Sequence, residues 1–229
     1  MSKSTTEPFR VTCTLLDGRL NSADGLLYLD SILYHAWFVK YAPHVLEGLS
    51  IDDHPPHFGL PLRQLDDGRY AASCGFYTQY EQDVEYWTKK PNFTDAGVDD
   101  YLDTGKAAKI NTGAGEFRAY RVPCIIRLVG PIEFYGYGTI DKIAELLSGI
   151  ASIGKKPAMG WGAVVEWNVE PWPDDWSTYS PKYGLMRPMP IDEGEQDEKY
   201  VIRDCAVKPP SWKIGNWKTC YVPEVAMLV

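Results

Sequence analysis

The 229-residue sequence lacks the features of secreted, membrane-spanning and zinc-binding proteins. Its first residues, MSKSTTEPFRV, contain no apolar signal core, so we expect a cytoplasmic protein. The longest apolar runs fall far short of the roughly 20 residues that cross a bilayer. The five cysteines are scattered and include no CxxC pair, which predicts reduced thiols and argues against a structural zinc site.

Catalytic signatures are also absent. The sequence contains no HExxH, and no GxSxG in a strand–turn–helix context. Of four histidines, only His35 lies in a predicted helix, between the apolar positions Leu33 and Ala36, where partial burial is more typical than catalysis. His54 and His57 have no acidic or cysteine partners at ligand spacing, so we expect no metal and no other cofactor.

The charge is distributed unevenly along the chain. The net charge of −8 has the wrong sign for a free nucleic-acid binder. Residues 105–162, however, carry eight Lys or Arg against four Asp or Glu, and half of the 20 glycines. Glycine lets a polyanion approach the backbone closely, and Lys or Arg neutralises phosphate. Tight turns and solvated surface cations would produce the same composition, so composition leaves both interpretations open.

The hydrophobic pattern predicts an α+β fold with the βαββαβ order of a ferredoxin-like, or RRM-like, core. The predicted elements are a strand at Phe9–Leu15, a helix at Leu29–Ala42, a hairpin of Phe117–Val129 with Ile132–Tyr137, a helix at Thr139–Ile150, and a strand at Trp161–Val169. Thr139 is a favourable N-cap for the second helix.

The predicted core spans residues 1–170 as one domain. Residues from 43 to about 116 are less regular and apolar-poor, so they are interpreted as an insertion into that domain. Residues 171–229 are rich in Pro and Trp and predict an irregular C-terminal extension that packs on the core or on a partner. The acidic run at 192–198 is typical of a solvated loop.

The most informative segment is Gly149–Trp167, GIASIGKKPAMGWGAVVEW. Gly149 to Lys155 fits the GxxxxGK spacing of a P-loop, but Lys156 stands where the magnesium-binding Ser or Thr belongs. The order of elements is also reversed, because this segment runs from helix to strand and therefore has no helix N-terminus for the phosphates. What remains is a basic, glycine-rich loop.

This loop offers the chemistry of a nucleic-acid contact. Its glycines permit backbone conformations that other residues avoid, its lysines supply charge, and Met159 or Trp161 supplies a surface for a base. The alternative is that Trp161 belongs to the core and the glycines only form turns. The candidate RNA-binding residues of the loop are Gly154, Lys155, Lys156, Met159, Gly160 and Trp161.

A helix followed by IGKKxxxGWG and then a strand resembles the signature glycine-rich loop of the repeat-associated mysterious protein (RAMP) superfamily. Members of this superfamily are the RNA-binding proteins of class 1 CRISPR complexes. The resemblance covers about residues 8–170 in element order. The segments EPFRVTCTLLDGRL and KINTGAGEFRAYRVP further resemble the small "Cas five" type subunit of type IV systems.

The resemblance implies a non-catalytic subunit that caps a CRISPR ribonucleoprotein complex and holds the 5′ handle of the guide RNA. It also implies contacts with backbone RAMP subunits and the large subunit, with the target DNA duplex near the protospacer flank as a further candidate partner. A thumb-like insertion, Tyr77 to about Thr112, would contact a neighbour through Tyr77, Tyr80, Tyr86 and Trp87. The implied RNA path is lined by Lys106, Lys109, Arg118, Arg121, Lys155 and Lys156.

Two alternatives remain open at the level of sequence. Some RAMP relatives are metal-independent endoribonucleases that process the guide precursor, often with a histidine near the first helix, which here is His35. A metabolic enzyme on a ferredoxin-like fold is the other alternative, since fold alone does not define activity.

Overall fold

The computed structural model describes residues 5–22, 24–44, 59–89, 118–194 and 198–228. The described residues form twelve β-strands and two complete α-helices, which confirms an α+β protein. The helices are α1 (Leu29–Tyr41) and α2 (Ile140–Leu147). The strands are β1 (Thr6–Leu15), β2 (Arg19–Asn21), β3 (Tyr77–Lys89), β4 (Tyr120–Val129), β5 (Ile132–Thr139), β6 (Val164–Pro171), β7 (Tyr179–Ser180), β8 (Gly184–Leu185), β9 (Met189–Pro190), β10 (Val201–Ala206), β11 (Trp217–Val222) and β12 (Ala226–Leu228).

The first sheet has the order β5-β1-β6, with both pairings antiparallel. The central strand β1 is the predicted strand Phe9–Leu15, extended at its start. On the free edge of β5, Ala72 and Phe76 form antiparallel bridges to Gly136 and Glu133. Buried residues 71–76 therefore continue the sheet beyond β5.

Alternation along β1 separates a buried face from a partly exposed one. Phe9, Val11 and Cys13 are fully buried in the same apolar cluster as residues of both helices. From α1 this cluster includes Leu33, and from α2 it includes Ile143. Both helices thus share one apolar core with β1.

One expectation about α1 is wrong, and one about α2 is confirmed in position only. His35 is exposed on α1 and is not partly buried, because the buried stripe of this helix passes through its neighbours Tyr34 and Ala36. Thr139 occupies the N-cap position of α2, but its side chain makes no capping hydrogen bond.

The predicted hairpin of β4 with β5 is also wrong. β4 lies in a second sheet of order β12-β3-β4-β2, whereas β5 belongs to the first sheet. At the junction, the Val129 amide donates to Gly18 O at 2.8 Å and the Gly130 amide donates to Thr78 O at 3.0 Å. Pro131 follows and has no amide hydrogen to donate. The Gly130-Pro131 turn is therefore a corner between two sheets.

The C-terminal region is not irregular, as the sequence suggested. A three-stranded antiparallel sheet of order β10-β11-β9 follows the short β7–β8 pair. These strands are short and separated by prolines, so their alternation extends over too few residues to be recognised in the sequence. The region contributes several residues to the main apolar cluster, namely Met186, Cys205, Val207, Cys220, Val222 and Val225.

Two compact units divide the chain: residues 1–82 with 127–229, and residues 83–126. The sequence-based boundaries at 43, 116 and 170 stay predictions. No described helix is long and apolar enough to cross a membrane.

Candidate nucleic-acid interface

The glycine-rich loop connects α2 to β6, and its two ends are tied together. The Ile153 amide donates to Gly162 O at 2.9 Å, and Ser152 forms an antiparallel bridge with Ala163. At the tip, Pro157–Met159 forms a short 3-10 turn. The loop is therefore a closed protrusion with a defined tip.

β2 holds this protrusion from the side. The Lys155 amide donates to Asn21 O at 2.8 Å, and the Gly162 amide donates to Arg19 O at 2.7 Å. Gly154 has φ +82°, and a Cβ there would lie 2.6 Å from Asn21 O. Both the left-handed conformation and the close backbone approach require glycine at this position.

The lysines differ in their setting. Lys155 is exposed, whereas Lys156 is partly buried and has φ +62°, in the left-handed region. Among the described residues, Lys156 is the only non-glycine with positive φ. Strained backbone of this kind is often found at functional sites, where the surrounding structure maintains it. Here the 3-10 turn follows Lys156 directly and the β2 contacts precede it.

Of the two residues proposed as a surface for a base, only one is accessible. Trp161 is 2% exposed, so its ring is not available for base stacking in this structure. Met159 is 47% exposed at the tip. The correction follows from Gly162, whose hydrogen bonds to β2 and Ile153 draw the preceding residue inward.

Arg19 belongs to this surface, and the sequence reasoning missed it. Its backbone binds the loop, and its exposed guanidinium pairs with Asp17 at 2.7 Å. The dipeptide Asp17-Gly18 is a turn signal, but a turn signal does not predict which loop lies beside the turn. Arg19 thus braces the loop through its backbone, while Asp17 already neutralises its guanidinium.

Two of the proposed thumb residues lie in the first compact unit and differ in exposure. Tyr77 is 1% exposed, and its hydroxyl donates to Gly25 O at 3.0 Å, so it is a structural residue and not a surface for stacking. Tyr80 is 57% exposed. β3 is continuous over Tyr77–Lys89, so the aromatic segment predicted as an insertion is a long strand.

In the unit formed by residues 83–126, the guanidinium of Arg121 lies 3.7 Å from the centroid of the Tyr86 ring. Trp87 packs edge-on against Tyr120 at 5.1 Å. Tyr86 remains 50% exposed, and Arg118 is exposed. Two further predicted RNA contacts, Lys106 and Lys109, lie outside the described residues, as does the predicted thumb beyond residue 89.

The face of the first sheet that carries Arg10 is unsuited to RNA. Arg10 donates to Glu170 at 2.8 Å and contacts Glu133 at 3.4 Å, and its guanidinium lies 4.7 Å from the Trp172 ring. The Tyr135 hydroxyl donates to Glu133 at 3.0 Å, and burial raises the pKa of Tyr135. Arg10 is thus already paired with two carboxylates, which disfavours phosphate.

The described residues contain no group of three His, Cys, Asp or Glu placed to hold a metal ion. All five cysteines are buried and free. Burial raises the pKa of Cys13 and of Cys220 to about 12, so these thiols stay protonated near neutral pH and are poor nucleophiles.

Fold and site together define an α+β protein with a braced, basic glycine-rich loop and a long strand bearing exposed aromatic residues. The family model described as "CRISPR type IV associated protein Csf3" matches residues 66–223, which include this loop. The chain therefore belongs to the Csf3 family of type IV CRISPR-associated proteins. No curated protein matches the chain at a significant level.

Proposed function

We propose that this chain is a non-catalytic guide-RNA-binding subunit of a type IV CRISPR effector complex. In this proposal it belongs to the RAMP superfamily, resembles the Cas five type subunit, and caps the complex at the 5′ handle of the guide. Its partners are the guide RNA, backbone RAMP subunits and the large subunit, with target DNA near the protospacer flank as a further candidate. The complex acts in the cytoplasm. Family membership supports the CRISPR setting.

The strand order supports a ferredoxin-like core. That fold has the spatial strand order 4-1-3-2, which βαββαβ connectivity produces when every neighbouring pair is antiparallel. Here β6, β1, β5 and residues 71–76 follow one another with antiparallel pairings and bridges. The second strand of the motif would then be residues 71–76, not β4.

The braced basic loop is the observation that carries the proposal. Backbone hydrogen bonds to β2 hold its base, where the Lys155 side chain is exposed, and Met159 at its tip is exposed as well. A loop that only served packing would not need to project cations from a fixed backbone. Because folding already orders its backbone, such a loop binds a polyanion with a smaller entropic penalty than a flexible loop.

The decisive experiment measures guide-RNA affinity as a function of salt for the chain alone and with its partner subunits. We expect Lys155→Ala with Lys156→Ala to weaken binding and to lower the slope of log K against log salt by up to about 2, the number of lost phosphate contacts. Alanine also has a Cβ, so the left-handed position at 156 is no more strained than before.

A matched control replaces two other lysines of the same unit, Lys208→Ala with Lys218→Ala, and so removes the same charge. Both residues are exposed. If the salt slope changes equally in both double variants, the effect is due to the loss of net charge and not to a contact of the loop. An unchanged slope in the loop variant would refute an RNA contact there.

The absence of catalysis is a separate part of the proposal and has its own test. A repeat RNA incubated with the purified chain without metal should remain intact, and His35→Ala should change neither the RNA nor its binding. Cleavage that depends on His35, the exposed histidine of α1, would instead establish the endoribonuclease alternative.

A further inference from the structure

A cavity of about 690 Å³ lies on the helical side of the first sheet, away from the glycine-rich loop. Its walls come from the second half of α1, the first two turns of α2, residues 59–63 and Thr6. The residues that matter for its chemistry are Trp37, Tyr41, Arg63, Thr139, Lys142 and Glu145. This volume lies within the range of sites that bind small molecules.

Lys142 is the cation of this cavity that is available to a ligand. Arg63 is already paired with Asp175 at 2.5 Å and lies 4.1 Å from the Tyr137 ring. Glu145 is paired with Lys40 at 2.5 Å. Lys142 is exposed and makes no ion pair within the described ranges. An anion entering the cavity would therefore meet one cation that makes no ion pair in the described ranges, with the exposed Asp141 preceding it in the same turn.

The start of α2 adds a partial positive charge to the part of the cavity that contains Lys142. Thr139 lines the cavity as the N-cap residue, and its hydroxyl makes no capping hydrogen bond. Its oxygen lies 3.5 Å from the Thr6 hydroxyl, which also lines the cavity. The first amide groups of a helix carry a partial positive charge and favour phosphate. Lys142 lies in the same first turn, so the helix terminus and the free cation coincide.

The opposite wall is aromatic. The rings of Trp37 and Tyr41 lie 5.4 Å apart on successive turns of α1, and Tyr41 is 53% exposed. An exposed ring beside a cavity can stack on a nucleobase without any sequence-specific contact. Between the two ends, the Glu145 carboxylate is an acceptor for hydroxyl donors such as those of a ribose.

We propose that this cavity binds a nucleotide, with its phosphate at Lys142 and the start of α2 and its base against Tyr41. The site is distinct from the glycine-rich loop, so it goes beyond the binding of the guide handle. A free mononucleotide and one nucleotide of a longer strand present the same chemistry, and the ligand panel below distinguishes them.

The test is calorimetric titration of the full-length protein with the four ribonucleoside 5′-monophosphates. The matching nucleosides and inorganic phosphate serve as partial ligands. Short RNA and DNA oligonucleotides are tested with and without a 5′-phosphate. Binding of a monophosphate indicates a free nucleotide; binding of an oligonucleotide alone, with the same variant sensitivity, indicates a nucleotide within a strand.

Two variants probe the two ends of the site. Lys142→Ala should weaken nucleotide binding about tenfold through loss of a charge-assisted contact, and should leave nucleoside binding unchanged. Tyr41→Ala should weaken nucleotide and nucleoside binding alike, also about tenfold, through loss of stacking. Both side chains are exposed, and a thermal melt of each variant checks that it folds.

The controls separate this site from the guide site. Lys208→Ala, an exposed lysine elsewhere in the unit, should leave nucleotide affinity unchanged, and so should Lys155→Ala with Lys156→Ala. Loss of guide binding in the loop variant together with unchanged nucleotide binding would support both sites. The proposal is overturned if no ligand of the panel binds, or if folded Lys142→Ala binds nucleotides as the parent does.

Discussion

Two glycines of the loop perform different tasks although both have left-handed φ. Gly160 has φ +80° with no atom within 4 Å of a Cβ built on it, so a side chain at this position would meet no neighbouring atom. Gly162 has φ +71°, and a Cβ there would lie 1.9 Å from Ile153 O, a backbone atom. Only the second glycine is required both by conformation and by contact.

Alanine substitution should separate these two requirements. Gly160→Ala should cost about 1–2 kcal/mol, the penalty of the left-handed conformation alone. Gly162→Ala should cost more than about 4 kcal/mol, because the loop must also move away from Ile153 or from β2. Urea unfolding measures both values, and equal losses would mean that Gly162 is not held as described.

The residue identities of the loop were predictable, but their exposure was not. A stretch of IGKKPAMGWG indicates glycine turns and surface lysines in any fold. Whether Trp161 points inward depends on Gly162 meeting β2, which is about 140 residues distant in sequence and adjacent only after folding.

The long strand β3 is the principal element that the sequence did not reveal. Its middle, from Tyr80 to Tyr86, carries acidic residues at every second position, but Gln82 interrupts the aromatic and apolar residues between them, and these side chains are exposed. A strand exposed on both faces has no apolar pattern to indicate it. The adjoining β4 was predicted as a strand, but its partner was not, because strand pairing is decided by tertiary contacts.

Residues 83–126 form a compact unit that the rest of the chain should not need for folding. Replacement of Asp83–Ile126 by Asn-Gly joins two neighbouring strands with a turn suited to a hairpin. The melting temperature should change by less than about 4 °C, which corresponds to about 1 kcal/mol for a domain of this size. Thermal melts followed by circular dichroism measure it.

A control variant lacks Val201–Val222 instead. This segment contributes buried Cys205 and Cys220 to the main apolar cluster. That variant should show no cooperative melt. If the Asp83–Ile126 excision also lost its cooperative transition, the two-unit division would be wrong as a description of stability.

One buried ion pair connects three separate parts of the molecule. Arg187, 3% exposed, pairs with Asp30 of α1 at 3.4 Å. Its guanidinium also donates to Val207 O at 2.7 Å, to Ala72 O at 3.2 Å and to Tyr70 O. The C-terminal region, α1 and residues 70–72 are thus held at a single side chain.

Arg187→Met should destabilise the protein by about 3–5 kcal/mol, since it leaves a buried carboxylate and three carbonyl groups without their donor. Chemical denaturation at pH 7 measures the loss. A cost below about 1 kcal/mol would show that the pair does not hold these parts together.

The same pair predicts a pH dependence. Burial raises the pKa of Asp30, although Arg187 opposes the shift. Folded Asp30 therefore keeps its proton to higher pH than unfolded Asp30, so its contribution to stability is greatest below about pH 4 and falls as pH rises through the raised pKa. The stability difference between parent and Asp30→Asn, measured by urea unfolding across this range, should show that fall. A pH-independent difference would contradict the shift.

The sequence alone determined the fold class, strand β1, both helices and the identity of the basic glycine loop, because each of these depends on local periodicity or on residue type within a short window. Tertiary structure alone decided that β4 pairs away from β5, that the C-terminal region completes the core, and that Arg19 lies beside the loop. These features depend on contacts between residues far apart in the chain. Many pairings are compatible with the same local sequence pattern, and tertiary packing determines which pairing forms.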